Sequence, residues 1–140
     1  MSADALDNAM IIASLLSIIL LALAILHVLW GIGFWFPIED EAQLVRTVAG
    51  FSGAEEMPGA VPCALVAVAL FMAVTCLWWP QGPFRFLTLV VIGALFLARG
   101  VAAFTPFWRR MAPAEPFATL DRKYYGPLCV ALGLGFWISL

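Results

Sequence analysis

The sequence predicts an all-α integral membrane protein, a single domain over residues 1–140 folded as a bundle of four transmembrane helices. The first observation is compositional. Hydrophobic residues make up 64% of the chain and charged residues 11%, with mean hydropathy +1.02, whereas a soluble domain carries roughly 25% charged residues. There is too little polar surface to clothe a globule in water. The second observation is that the apolar residues fall into four runs of about the 20 residues needed to cross a hydrocarbon core. The polar, proline-broken segments between them are too short for a soluble domain. A net charge of −2 says nothing useful about a nucleic-acid partner, and no basic run or aromatic-basic stripe suggests one, so none is expected.

The first crossing runs from about residue 9 to 36, after a polar start holding Asp4 and Asp7. It has neither the positive start nor the short apolar core of a cleavable signal, so it is expected to be retained. Ser17, Ala24 and Gly31 recur every seven residues and offer a small-residue face for close packing. His27 lies one turn from Ala24 and Gly31 and is expected to look inward. Trp30 and Trp35 suit an interfacial belt, and Pro37 ends the helix. A short interfacial helix follows at about 38–50, with Glu39, Asp40 and Glu41 in its first turn, where the helix dipole favours acids. Ala42, Val45, Val48 and Ala49 give it an apolar side, and Gly50 is its expected terminator.

The second crossing is expected at about 59–79, with Pro62 tolerated in its first turn. Trp78 to Pro83 make a tight return into the third crossing, about 84–105, where Ala94, Ala98 and Ala102 form a small-residue ridge. A loop broken by Pro106, Pro113 and Pro116 leads to the fourth, about 121–140, with Pro127 as a kink. Arg46, Arg109, Arg110, Arg122 and Lys123 share one side and Arg85 stands alone on the other. The positive-inside rule therefore puts loops one and three in the cytoplasm and both termini outside. Cys63 and Cys76 sit about 20 Å apart along one helix and cannot pair with each other. Cys63 and Cys129 share a membrane side, but an odd cysteine count argues against a disulfide framework, and buried free thiols are the expectation.

Arg99 is the residue to explain, because a charge at membrane depth is expensive. It lies about 9 Å from the end of the third crossing. His27, Glu55, Asp121, Tyr124 and Tyr125 all come in from that same side, and the opposite half of the bundle shows nothing comparable. Two readings stand side by side. In one, Arg99 snorkels or pairs with Asp121 to fix how two helices meet, and Asp121 caps the fourth helix. In the other, Arg99 and His27, with Asp121, Tyr125, Trp30 and Glu55, form a polar intramembrane pocket for a small anionic ligand or lipid headgroup. His27 is the lone histidine, and no metal-ligand spacing, haem ligation or catalytic triad is recognisable. No metal, cofactor or catalytic residue is assigned.

Three stretches resemble a known family. His27-Val28-Leu29-Trp30-Gly31-Ile32-Gly33 is similar to its first-helix pattern, and Phe96-Leu97-Ala98-Arg99-Gly100 to Phe104 to its third. Phe117 to Asp121, then Tyr125-Gly126-Pro127-Leu128-Cys129, resembles the pattern that opens its fourth helix. The family is a set of small bacterial four-helix integral membrane proteins known as a domain of unknown function. It implies a bacterial inner membrane and singles out the same residues, but implies no activity. The chain departs from it at Ala102 and Ala103, where an acid is common, and at Gly126, which replaces a serine.

The functional expectation is therefore a protein that binds or transports a small polar or anionic ligand or a lipid headgroup. An accessory subunit of a larger membrane complex, or a homodimer, is the alternative. A membrane enzyme acting on a lipid or quinone is the third reading, with only His27, Asp121 or a tyrosine to serve as base.

Overall fold

The computed structural model describes residues 3–140, with side chains from Leu6 onward, so the expectation for Asp4 lies outside the described side chains. All regular structure among the described residues is helical. The order is α1 (Ala3–Gly31), α2 (Glu41–Val48), α3 (Ala60–Leu77), α4 (Pro83–Ala102), α5 (Pro106–Met111), α6 (Phe117–Leu120), a π turn (Asp121–Tyr125) and α7 (Gly126–Ile138).

Three helices are long and apolar enough to cross a membrane: α1 from Leu6 on, α3 and α4. The fourth is assembled differently. Alone, α7 has 13 residues, about 20 Å of helix against a hydrocarbon core of about 30 Å. It gains crossing length because α6 and the π turn run into it with helical backbone throughout, the Gly126 N–H donating to the Asp121 carbonyl. The fourth segment thus begins at Phe117 rather than Asp121, and Asp121 is inside it rather than capping it.

The first helix stops earlier than the apolar run suggests, at Gly31. Gly33 takes φ +80°, Phe34 N–H donates back to Leu29 O at 2.8 Å, and Trp30 Nε1–H donates to Phe36 O at 2.8 Å. Trp30 is therefore a buried clamp on the returning chain. In α2, Asp40 is the N-cap and its side chain accepts from Gln43 N–H at 2.7 Å. Leu44 and Val45 of this short helix are fully buried. Gly50 ends the segment at φ +71°, and the Phe117 ring fills the space a β-carbon would need there.

Packing pairs α1 with α3 and α4 with α7, and Leu16, Leu20, Leu77, Leu89, Leu132 and Phe136 form the seam between the pairs. Lipid is as apolar as these side chains, so close contact rather than water exclusion holds such helices together. Ser17 and Ala24 are buried as expected. The Ala94–Ala98 ridge is not used inside: both alanines are exposed. The close approach on α4 is made by glycines instead. A β-carbon on Gly93 would stand 3.0 Å from Gly133 O, and one on Gly100 would stand 2.8 Å from Gly126 O. Gly93 faces Gly133 and Gly100 faces Gly126, so the two backbones touch at two places one heptad apart.

The end away from the long loops also departs from expectation. Arg85, in the first turn of α4, is only 7% exposed. Its Nη2 donates to Leu77 O at 3.2 Å and Ser139 O at 2.9 Å, and its Nη1 to Gln81 Oε1 at 3.1 Å. One cation thereby joins the C-terminal ends of α3 and α7, where the helix dipoles are negative. Beside it, Trp78 Nε1–H donates to Ser17 Oγ at 3.0 Å, tying the α3 end to α1.

Candidate functional site

The site grows from the π turn. A single π turn accommodates one extra residue and widens the helix, a device often found at functional positions. Here it begins at Asp121 and ends at Tyr125, both expected site residues. Asp121 is 2% exposed, and Arg99 Nη2 donates to its Oδ1 at 2.7 Å, with Arg99 Nη1 at 3.5 Å from Oδ2. Trp108, on the short loop helix α5, completes the arrangement. Its Nε1–H donates to Asp121 Oδ2 at 2.9 Å, and the Arg99 guanidinium carbon lies 4.7 Å from the centre of its ring. Thr105 caps α5 and so aims Trp108, its side chain accepting from the Trp108 N–H at 3.3 Å.

The buried carboxylate is thus held by one cation and one indole, while Arg99 keeps a third of its side-chain surface exposed. Tyr125 does not reach this cluster by a hydrogen bond. Its Oη donates to Thr47 O at 3.2 Å and its ring leans on Phe117, so it ties the π turn to α2.

Arg99 closes one end of a groove of about 480 Å³ between α3 and α4. The walls are Leu65, Val66, Ala69, Leu70, Ala73, Ile92, Leu95 and Phe96, all apolar. His27 and Trp30 lie in a second cavity, of about 140 Å³, lined also by Met57, Cys63 and Val66. Val66 is common to the two, so the histidine cavity adjoins the arginine groove across one side chain. His27 Nδ1 sits 2.8 Å from Leu23 O. A carbonyl only accepts, so Nδ1 is the donor here, and in the neutral imidazole Nε2 is then the acceptor. The His27 and Trp30 rings are tilted together with centres 4.9 Å apart.

Of the six expected residues, Arg99 and Asp121 are in direct contact, His27 and Trp30 share the adjoining cavity, and Tyr125 braces the π turn. Glu55 is exposed on the segment before α3. The neighbouring Glu41 carries the carboxylate contact there, accepting from Met57 N–H at 2.9 Å. Trp108 is the member that sequence reasoning missed. Its position after Thr105-Pro106, a cap followed by a proline at the helix start, was the available signal.

Comparison with known proteins bears on most of this chain. A family model described as "Protein of unknown function (DUF3995)" matches residues 20–136, a span holding every residue of the site. Neither a search of curated proteins nor one of solved structures finds a match. The chain belongs to the DUF3995 family.

Proposed function

For this member of a family of unknown function, we propose a membrane-embedded binding protein for an anionic amphiphile. The apolar tail lies in the α3–α4 groove and the charged head rests on Arg99, with the His27 cavity beside it. One observation carries this reading: a groove of about 480 Å³ whose walls are wholly apolar ends on a partly exposed arginine. Asp121 offsets the charge of Arg99 without covering it, which lowers the cost of keeping a cation at this depth. His27 Nε2 adds a hydrogen-bond acceptor for a head that carries a hydroxyl. The family resemblance implies a bacterial inner membrane, and the Lys and Arg distribution supports loops one and three in the cytoplasm.

The test is native mass spectrometry after mild extraction from the host membrane. Wild type is expected to retain a defined amphiphile. The double variant Arg99→Leu/Asp121→Asn, which removes the cation without stranding a buried carboxylate, is expected to lose it while keeping its helical circular dichroism. Retention of the amphiphile by a folded double variant overturns the reading.

A second reading, a homodimer or accessory subunit, is favoured by the exposed Ala94 and Ala98 on α4, a small-residue strip left unused within the chain. A reproducible second polypeptide with no amphiphile would support it.

A further inference from the structure

Outside this site, the loop surface holds a further cavity, of about 290 Å³, lined by Phe104, Arg109, Glu115, Ala118, Thr119, Arg122 and Lys123. Three of those side chains are positive and one is negative, a net of two positive charges. Glu115 is already engaged, its Oε2 accepting from Thr119 N–H at 3.2 Å and its Oε1 from Thr119 Oγ1 at 3.1 Å. Among the described residues the one ion pair is Arg99–Asp121, so neither arginine nor the lysine here is matched to a carboxylate. Three cations converging on one cavity repel one another unless an anion sits between them.

The surroundings say what kind of anion. The cavity lies where the membrane-spanning α4 gives way to α5, with Phe104 in its wall and Phe107 and Met111 exposed close by in the chain. Exposed aromatic and apolar side chains beside cations mark the headgroup level of a bilayer rather than open water. Basic pockets at such a level take up lipid headgroups that carry more than one negative charge.

We propose that Arg109, Arg122 and Lys123 form a binding site for an anionic phospholipid whose headgroup bears two negative charges. The two arginines engage phosphate oxygens in the planar forked geometry that guanidinium offers, and Lys123 adds a point charge. Phe104 packs on the glycerol region. The site is separate from the Arg99 groove and does not depend on what that groove binds. Its consequence is selection among the lipids that surround the protein.

The experiment uses the full chain in detergent, titrated with cardiolipin (two phosphates) or phosphatidylglycerol (one) at matched total lipid charge, with adducts counted by native mass spectrometry. Cardiolipin is expected to bind more tightly. Arg109→Gln, Arg122→Gln and Lys123→Gln are each expected to weaken it about fivefold, in line with roughly 1 kcal/mol per surface cation. Arg110→Gln is the control, since Arg110 carries the same charge on α5 but does not line the cavity. It is expected to leave cardiolipin binding unchanged. The proposal is overturned if Arg110→Gln weakens binding as much as Arg109→Gln, which would mean diffuse surface charge. It is equally overturned if the two lipids bind alike at matched charge, or if millimolar inorganic phosphate displaces cardiolipin.

Discussion

The two ends of this bundle each hold an arginine, and they settle its charge in different ways. Arg99 meets a carboxylate, Asp121, which is itself held by the Trp108 indole. Arg85 meets no carboxylate among the described residues and donates instead to the carbonyls of Leu77 and Ser139 and to Gln81. Two helix C-termini each present about half a negative charge, so together they roughly balance one guanidinium. The first arrangement leaves a third of the arginine side chain exposed beside an apolar groove. The second encloses the residue almost completely. A cation paired with an acid remains available to a ligand, whereas one that joins two helix ends is spent on holding them together.

The sharpest way to test that contrast is to remove each arginine. Arg99→Leu strands a carboxylate that is 2% exposed, and loss of one partner of a buried pair costs about 4 kcal/mol. Adding Asp121→Asn should recover most of that loss, measured by unfolding in mixed micelles. If the double variant is no more stable than Arg99→Leu, the pair is not the reason Asp121 tolerates burial. Arg85→Met leaves behind only neutral acceptors that lie at helix ends, and a smaller cost of about 2 kcal/mol is expected. A loss larger than that of Arg99→Leu would reverse the comparison. The smallest effect belongs to Trp108→Phe. It keeps a ring over Arg99 and deletes one hydrogen bond to the Asp121 carboxylate, for about 1.5 kcal/mol. Its specific readout is the exchange rate of the Arg99 guanidinium protons, which should rise as the clamp loosens and stay unchanged if Trp108 only packs.

The contrast also marks what the sequence could and could not say. Arg99 was legible because hydropathy makes a lone charge inside an apolar run conspicuous, and Asp121 because it opens the next one. Arg85 was not, since it stands next to Pro83 and Phe84 at the start of a run, where a cation reads as a loop residue. Nothing in its neighbours announces that Leu77 and Ser139 will converge on it, because that depends on how α3 and α7 end in space. The helices followed from composition, but the glycine contacts did not. Alanine spacing pointed to Ala94 and Ala98, whereas the α4–α7 crossing rests on Gly93, Gly100, Gly126 and Gly133. Either set makes a smooth helix face, and only the partner helix decides which is used. Tyr125 was found for its position, though its hydroxyl turned out to serve α2 rather than the ion pair.

The π turn has a consequence for the phase of the last helix. Successive residues of an α-helix advance by about 100° around the axis, so Phe117 and Phe136 would point about 100° apart along an unbroken one. One additional residue absorbed at Asp121–Tyr125 takes up about that angle and brings the two rings into line. Both are buried, Phe117 over Gly50 near α2 and Phe136 in the seam against Phe96. The wide turn works as a vernier between two packing problems, letting one helix satisfy the loop-side cap and the bundle interior at once. Deleting a single residue there would turn the segment into plain α-helix with Phe117 and Phe136 still in phase, whereas straightening it with every residue kept would swing one of them about 100° away.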